Sequence, residues 1–457
     1  MAREIATTEG DSFPELLRWK RQRAGLTQAQ LAELSGLGVR TIRNWEQGWT
    51  LHPHVDSVRR VAEGLGLTGE ARVTFERMAA GTYSLQPAPA PEPPRQLPHD
   101  LADFTGRLEE TARVRAWLCP EDGTAGPVVV ISGPPGVGKT ALAVHVSHQL
   151  RERFPDGQFF VDLQGTLVGP LEPSTVLAAF LRALGVAASA IPAEPHERVA
   201  LYRTRLAERR VLVVLDDAVS EAQVRPLLPG GGRCGALVTS RSRLAGIEGV
   251  SGMALGVLED GESVELLRRV AGQQRVAAEP EAALAVVGLC GRLPLALRIA
   301  GVRLAARPHL QLAQMADGLV DEKRRLDLLD IGDLAVRASI GFSYEPLDPE
   351  AGRAFRLMAQ LEVPEVSAWA IAALLGIGVE RAEALAERLV DVHLLEPTPQ
   401  GRYRMHDLMR VFARERLEME EPEGAAALDL CRRIARLNSS RPTDGTAGVG
   451  HQRRPPH

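Results

Sequence analysis

One short segment limits the folds open to this chain more than any other. It matches every fixed position of the pattern G-x-x-x-x-G-K-S/T and runs Gly133-Pro134-Pro135-Gly136-Val137-Gly138-Lys139-Thr140. The chain of 457 residues has only three lysines, Lys20, Lys139 and Lys323, so a chance match is improbable. In this pattern glycines let backbone N–H groups turn inward around an anion, the lysine reaches terminal phosphates, and the hydroxyl ligates Mg²⁺. The segment therefore predicts a nucleotide-binding loop rather than an ordinary glycine-rich turn.

The residues around this loop predict the layout that it requires. An apolar run before the loop predicts a buried parallel strand, and the residues from 140 onward predict a helix. Strands are predicted at residues 128–132, 158–163, 211–216, 236–240 and 253–257, with helical patterns between them. Strands that alternate with helices predict a parallel sheet with helices on both faces.

A proline-rich segment divides the chain. Residues 86–98 can form neither a helix nor a central strand and predict an extended linker. Short helical patterns precede it at residues 13–80, and helical patterns dominate again after about residue 257. A chain of this length is expected to form about three domains. The tail from about residue 441 is predicted to be disordered, and no internal repeat is found.

Composition excludes several classes of protein. The net charge of −4 comes from 54 basic and 58 acidic residues, so the whole chain is no polycation and any nucleic-acid contact has to be local. The four cysteines lie far apart, which supports neither a disulfide framework nor a zinc site and favours a reducing cytoplasm. No membrane span is expected, because arginines interrupt the most hydrophobic long segment, residues 282–306.

Two short helical patterns near the amino terminus flank a tight turn. Thr27 and Gln30 fit a capping box that opens the first helix, and residues 35–38 form the turn. In the second helix, residues 39–46, Ile42 and Trp45 can pack inward while polar residues stay exposed. This arrangement predicts a helix-turn-helix.

The string from Leu26 to Gly48 closely resembles the phage-repressor and Cro-like (XRE-type) family. The resemblance covers residues 13 to about 68, with Gly38 where that family usually has a serine cap. It implies that the helix at residues 39–46 enters the major groove of double-stranded DNA. Arginine suits guanine and asparagine suits adenine. The implied DNA-contacting residues are Gln28, Val39, Arg40, Thr41, Arg43 and Asn44. A protein-interaction module with the same pattern remains the alternative.

A second apolar strand ends in two acidic residues, Asp216 and Asp217. A carboxylate there can hold Mg²⁺ opposite Thr140, and its neighbour can orient an attacking water. Asp216 is therefore assigned to Mg²⁺, and Asp217 to water activation. Arg241 ends the next strand and is predicted to sense the terminal phosphate. Lys139, Asp216, Asp217 and Arg241 form the predicted catalytic set.

The ordered motifs after the linker resemble those of NB-ARC-type STAND ATPases. They are the segment at residues 103–107, the phosphate loop, the paired acids, Thr239-Ser240-Arg241, the segment at residues 291–297 and Met405-His406-Asp407. The resemblance covers residues 101 to about 417. It implies that ATP or ADP, with Mg²⁺, is clamped between three subdomains. The implied nucleotide contacts are Phe104, Gly106, Arg107, Gly133, Pro134, Pro135, Gly136, Val137, Gly138, Lys139, Thr140, Ala141, Arg241, Pro294 and His406.

Within this set the resemblance gives three contacts particular roles. Phe104 to Arg107 would flank the base, Pro294 would pack near it, and His406 would touch the β-phosphate of ADP. From the residues alone, His406 can also be a buried core histidine.

The expected fold is multidomain: an all-α helix-turn-helix domain, then an α/β P-loop NTPase parallel sheet, a helical subdomain and a winged-helix subdomain. The predicted bounds are 1–85 for the helix-turn-helix domain, 86–100 for the linker, 101–258 for the nucleotide-binding domain, 259–340 for the helical subdomain, 341–417 for the winged helix, and 418–457 for a last helix and tail.

These features predict a transcriptional regulator switched by ATP and ADP, with slow hydrolysis that resets the switch. It is expected to bind a double-stranded DNA operator, to self-associate on DNA or on activation, and to respond to an unknown signal. The rival hypothesis is a signalling or defence ATPase whose small amino-terminal domain recruits a protein. A third hypothesis is that the chain is a short or incomplete regulator. The family often carries a carboxyl-terminal repeat sensor, and the 40 residues after Leu417 are too few to form one.

Overall fold

The computed structural model describes residues 12–50, 53–80, 92–120, 126–165, 169–231 and 233–421. Contacts divide the chain into two compact units, Met1–Glu92 and Pro93–His457. The predicted disordered tail and residues 86–91 of the predicted linker lie outside the described residues. Within the described ranges, no helix combines the length and apolar character needed to span a membrane.

The described part of the first unit is all helical. Its helices are α1 (Phe13–Arg23), α2 (Gln28–Ser35), α3 (Val39–Glu46), α4 (Val55–Gly64) and α5 (Gly69–Ala79). The predicted capping box begins α2, since Thr27 Oγ1 accepts from the Gln30 backbone N–H at 3.2 Å while Gln30 Oε1 accepts from the Thr27 N–H at 2.8 Å. Ile42 and Trp45 of α3 are buried in the common core, as predicted.

A five-stranded parallel sheet organises the start of the second unit. Its strands are β1 (Val128–Ser132), β2 (Gln158–Asp162), β3 (Leu212–Ala218), β4 (Gly235–Ser240) and β5 (Val250–Ala254), in the order β2-β3-β4-β1-β5. The helices that alternate with them are α6 (Leu108–Leu118), α7 (Lys139–Gln149), α8 (Pro173–Ala183), α9 (Pro195–Leu206) and α10 (Glu221–Val224). Because all the pairings are parallel, the carboxyl ends of the strands meet at one edge.

The fifth strand corrects one prediction. It was expected at residues 253–257, but β5 is Val250–Ala254, paired with β1 from Val128↔Val250 to Ser132↔Ala254. The apolar residues that suggested the later position lie beyond the strand, where Leu255 is buried in the core and donates its N–H to Ser132 O at 2.7 Å. The other four predicted strands agree with the structure to within two residues.

Helices dominate the rest of the second unit. They are α11 (Asp260–Ala271), α12 (Gln273–Ala278), α13 (Pro280–Leu289), α14 (Pro294–Ala306), α15 (Leu312–Val320) and α16 (Glu322–Leu328), followed by a short hairpin of β6 (Asp330–Ile331) and β7 (Leu334–Ala335). These helices share one hydrophobic core with β1, α7 and the last subdomain.

The last subdomain has the winged-helix layout, and its first helix crosses the predicted boundary between residues 340 and 341. Its elements are α17 (Val336–Tyr344), α18 (Pro349–Met358), β8 (Val366–Ser367), α19 (Ala368–Leu375), α20 (Val379–Asp391), β9 (Glu396–Pro397), β10 (Arg402–Arg404) and α21 (Asp407–Glu420). The subdomain has a wing, because β9 and β10 pair antiparallel. The fold class expected from the sequence is thus the one observed.

Candidate nucleotide-binding site

The predicted phosphate loop connects β1 to α7, at the carboxyl edge of the sheet. Gly133, Gly136 and Gly138 have φ angles of 156°, 77° and 94°, values that favour glycine. A Cβ on Gly136 would come within 3.0 Å of the Leu295 Cβ, so the loop also needs glycine to pack against α14. No side chain caps the start of α7, and the first N–H groups of a helix attract anions. The loop therefore fits a phosphate group.

Lys139 is half-buried in this loop. Its ammonium donates to the carbonyl oxygens of Gly133 at 2.8 Å and Pro134 at 3.1 Å. Burial and the positive charge of Arg241 together lower the pKa of Lys139 to about 7, although the charges of Asp217 and Asp216 oppose this shift. An anion beside the ammonium would relieve both unfavourable effects.

Asp216 and Thr140 meet as predicted. The Thr140 hydroxyl donates to the Asp216 carboxylate oxygens at 2.8 and 3.0 Å, and the Thr239 hydroxyl donates to Oδ1 at 2.5 Å. Burial raises the pKa of Asp216, although the two hydroxyl hydrogen bonds oppose that shift. A carboxylate and a hydroxyl so close together are hard oxygen ligands of the kind that Mg²⁺ prefers, so these residues fit the predicted metal.

Asp217 and Arg241 form the outer side of this cluster. Asp217 has a φ of 50° beside an irregularity in the β3–β4 pairing, and its backbone N–H donates to Thr239 Oγ1 at 3.0 Å. Arg241 Nε lies 3.5 Å from Asp217 Oδ1. Arg241 Nη1 donates to the carbonyl oxygen of Ser339 in α17 at 2.7 Å. The predicted phosphate sensor therefore connects the sheet to the first helix of the winged-helix subdomain.

These groups line one cleft of about 680 Å³. Its walls come from the sheet edge, from α11 and α14, and from Ser339 of α17. The predicted nucleotide contacts that line it are Phe104, Arg107, Gly136, Val137, Gly138, Lys139, Thr140, Ala141, Arg241 and Pro294, together with Asp216 and Asp217. Gly106, Gly133, Pro134, Pro135 and His406 are not among the lining residues.

The residues predicted to flank the base are held by α7 and α11. The Phe104 ring stacks on His145 of α7, with centroids 4.0 Å apart and planes 14° from parallel. Arg107 is buried, and its backbone N–H donates to Glu262 Oε1 at 2.8 Å. Gly106 has a φ of 68°, and a Cβ there would clash with Glu262. This end of the cleft presents aromatic and aliphatic surface suited to a base.

His406 is not among the residues that line the cleft. Its Nε2 is 2.8 Å from the carbonyl oxygen of Gly291, and its Nδ1 accepts from the Leu408 N–H at 3.2 Å, capping α21. Both ring nitrogens are therefore engaged within the protein. The contact with a β-phosphate remains a prediction.

In the first unit, α3 presents the predicted DNA-contacting side chains. Val39, Arg40 and Arg43 are exposed, while Thr41 and Asn44 are half-buried. Gln28 is also half-buried, and its side-chain amide donates to Glu46 Oε2 at 2.7 Å. Arg21 bonds the same carboxylate. One buried acid thus fixes α3 against α1 and α2.

Sequence reasoning missed three features of the cleft. Thr239 orients both acids, although its motif predicts a role only for Arg241. Asp103 and Arg298 line the cleft and pair at 3.0 Å, a contact between distant segments that no local pattern marks. Ser339 contributes its backbone carbonyl, which every residue type possesses, so no sequence signal identifies it.

Two known protein families match parts of this chain. The NB-ARC domain family matches residues 108–277, and the helix-turn-helix family matches residues 17–71. The chain contains an NB-ARC domain and a helix-turn-helix domain. Both resemblances inferred from its motifs are confirmed.

Two relatives are similar to most of this chain. Regulatory protein AfsR of Streptomyces griseus is 45% identical over 394 residues, which cover 84% of this chain and 40% of the relative. Regulatory protein AfsR of Streptomyces coelicolor is 44% identical over 412 residues, with coverages of 86% and 41%. The chain thus spans about two fifths of the length of these relatives.

A solved structure supports the fold. The Walker-type ATPase of Pyrococcus abyssi matches 70% of this chain and 97% of its own, with a TM-score of 0.50 and 16% identity. At this identity the likeness concerns the fold alone.

Proposed function

We propose that this protein is a DNA-binding transcriptional regulator whose state depends on a bound adenine nucleotide. The observation that carries the proposal is the composition of the cleft. Residues of the sheet, of α11 and α14, and of α17 line the same space, so a ligand there contacts all three regions at once. A ligand shifts an equilibrium only when it binds two states with different affinity, and a cleft shared by three regions provides such a difference.

Within this proposal the sheet edge binds the phosphates. Lys139 leaves the carbonyl oxygens of Gly133 and Pro134 to pair with them, and the N-terminus of α7 adds its N–H groups. Thr140 and Asp216 hold Mg²⁺, which when bound neutralises phosphate charge. Asp217 orients a water for slow hydrolysis. Phe104 and Pro294 pack near the adenine.

Arg241 is the residue through which the bound nucleotide is proposed to change the state of the protein. In the present structure it is bonded to Asp217 and to Ser339 of α17. A third phosphate is a stronger partner for a guanidinium than a neutral carbonyl oxygen. ATP is therefore expected to draw Arg241 away from Ser339 and to release α17, whereas ADP leaves this contact in place.

The proposed DNA contact rests on α3. Its exposed face carries Arg40 and Arg43, its opposite face is buried, and Glu46 fixes it to the neighbouring helices. The AfsR relatives are regulatory proteins by name. A single recognition helix reads one half-site, so two copies are expected on a symmetric operator.

The deciding experiment is operator selection from genomic DNA with the full chain loaded with ATP or ADP. We expect occupancy to differ between the two nucleotides for the wild type and to be the same for Lys139→Ala. Lys323→Ala is the matched control, because Lys323 is exposed and lies away from the cleft residues. Identical wild-type occupancy with ATP and ADP would refute the coupling.

The proposed DNA contact is tested by measuring the affinity for DNA at increasing salt concentration. Phosphate contacts release counterions, so affinity should fall steeply as salt rises. Arg43→Ala should weaken specific binding by roughly 1–3 kcal/mol, whereas Glu33→Ala on the exposed side of α2 should not. Absence of salt-dependent DNA binding would favour the rival role, recruitment of a protein partner.

A further inference from the structure

Residues 94–104 form a strap that runs from the edge of the sheet to the cleft. The Gln158 N–H donates to Pro94 O at 2.7 Å, and the Gln96 N–H donates to Gln158 O at 3.0 Å, so the strap begins as an addition to β2, the outer strand. A Cβ on Gly157 would lie 2.7 Å from the Pro94 ring, so glycine at this position lets the strap approach the sheet. One end of the strap is therefore anchored to β2.

One histidine of α7, His145, holds the far part of the strap by two different contacts. Its Nδ1 lies 3.1 Å from Asp100 Oδ2, and its ring stacks on Phe104 with centroids 4.0 Å apart. Arg115 donates to Gln149 Oε1 at 3.3 Å, which turns the amide nitrogen of Gln149 toward His145 Nε2 at 2.9 Å. Nε2 therefore accepts a hydrogen bond, and Nδ1 carries the hydrogen that is donated to the Asp100 carboxylate.

Two more contacts attach the strap to helices of the cleft. His148 of α7 donates from Nε2 to Pro98 O at 2.7 Å, and Arg298 of α14 lies 3.0 Å from Asp103 Oδ2. Residues of both helices also line the cleft, and the first turn of α7 belongs to the phosphate loop. The position of the strap is thus fixed by the same helices that a nucleotide in the cleft would contact.

The strap itself forms part of the wall of the cleft. None of the strap residues in this wall is an arginine or a lysine, and three of them are apolar. Such a surface suits the base of a nucleotide better than its phosphates. The strap residues that line the cleft are Pro98, His99, Leu101, Asp103 and Phe104.

We propose that His145 is a positioning residue, which sets the strap across the cleft so that the adenine of the bound nucleotide packs against it. The proposal rests on the nucleotide binding proposed above and extends it to the residues before Phe104 and to the helix behind them. His145 is not among the residues that line the cleft, so it acts through Phe104 and Asp100. The second compact unit begins at Pro93, so adenine binding also fixes the segment with which the chain enters this unit.

The test compares a ligand that has a base with one that has none. His145→Ala removes the stacking and the hydrogen bond, and it should weaken ADP binding to the full chain about tenfold. Inorganic pyrophosphate has the phosphates of ADP without the base, so its affinity should stay unchanged. His145→Phe keeps a ring for Phe104 and should recover part of the ADP affinity. His196→Ala is the control, because His196 is exposed on α9 and is not a cleft residue.

A second variant leaves α7 intact. Asp100→Asn removes only the charge that accepts from His145, so it should weaken ADP binding by a smaller factor and leave pyrophosphate binding unchanged. Amide hydrogen exchange gives an independent measurement. ADP should slow exchange in residues 94–104 of the wild type, and this effect should be smaller in His145→Ala, whereas pyrophosphate should not slow it in either protein.

Loss of ADP affinity in His145→Ala with unchanged pyrophosphate affinity, together with partial recovery in His145→Phe, supports the proposal. Equal losses for both ligands, or unchanged ADP affinity, overturn it and leave the proposed function intact. Strap exchange that ADP does not slow in the wild type overturns it as well. Failure of the wild type to bind ADP or ATP overturns both proposals, and that result is distinguishable from the others.

Discussion

Arg241 Nη1 donates a hydrogen bond of 2.7 Å to the carbonyl oxygen of Ser339, which connects the end of β4 to α17. The same guanidinium lies 3.5 Å from Asp217 and faces the Phe342 ring at 5.6 Å. One cation thus joins the carboxylate cluster of the sheet to the first helix of the winged-helix subdomain. Any ligand that binds this guanidinium in place of Ser339 removes a hydrogen bond that holds α17 against the sheet.

The first prediction concerns this contact. Arg241→Ala should lower ATP affinity roughly ten- to hundredfold and leave ADP affinity nearly unchanged, because the side chain is expected to meet only the third phosphate. Titration of both nucleotides into the full chain measures the ratio. Arg182→Ala, at an exposed position of α8, is the control. Equal losses for ATP and ADP would show that Arg241 does not distinguish them.

The second prediction separates the roles of the paired acids. Asp216→Asn should abolish the Mg²⁺ dependence of ATP binding, because it removes the charge opposite Thr140. Asp217→Asn should still bind ATP with Mg²⁺ but should hydrolyse it about a hundredfold more slowly. Single-turnover phosphate release measures hydrolysis, and the exposed Asp317→Asn in α15 is the control. The assignment is wrong if the two variants exchange these behaviours.

The sequence predicted most of the fold because its strongest signals are local. The phosphate loop, the capping box and the apolar strands each depend on neighbouring residues, and β1 and α3 have the predicted bounds. The prediction was wrong at β5, an edge strand in which Ser251 and Gly252 interrupt the apolar pattern. There the pairing with β1 decides the bounds.

Site residues could be predicted only where a sequence motif specifies the type of side chain. Asp216 and Thr140 were placed together correctly, because parallel strands bring their carboxyl ends to one edge. Arg241 and Ser339 are 98 positions apart in the sequence, and their contact uses a backbone carbonyl. No residue pattern therefore predicts it. The left-handed backbone of His393 likewise depends on how α20 ends against the core.

The third prediction tests the support of α3. Glu46 accepts from Arg21 at 2.6 and 3.1 Å and from Gln28 at 2.7 Å, and its side chain is about 2% exposed. Glu46→Ala leaves these donors without their acceptor and should lower the free energy of local opening of α3 by about 3 kcal/mol. Amide hydrogen exchange of α3 in the full chain measures this quantity, with the exposed Glu33→Ala as control. Unchanged protection of α3 would show that Glu46 does not hold it.

Low pH should also weaken the hydrogen bonds by which Glu46 holds α3 against the neighbouring helices. Burial raises the pKa of Glu46, but the hydrogen bonds from Arg21 and Gln28 outweigh it, and the net shift is downward. A carboxylate whose folded-state pKa is lowered stabilises the fold above its unfolded-state pKa, and that stability is lost as the pH falls. Protection of α3 in the wild type should therefore decline below about pH 4.5, and Glu46→Ala should lack this component.

The fourth prediction concerns His393 and pH. Its folded-state pKa of about 4 lies below the ordinary value of 6.5, because burial and then the positive charges of Lys139 and Arg243 disfavour the protonated ring. Between these two pH values the unfolded chain binds more protons than the folded one, so stability falls as the pH is lowered through this interval.

His393→Gln cannot titrate there and should lose less protection of α20 than the wild type, when the two are compared by hydrogen exchange at each pH. The exposed control His309→Gln should follow the wild type throughout; if His393→Gln follows it as well, His393 does not titrate as inferred.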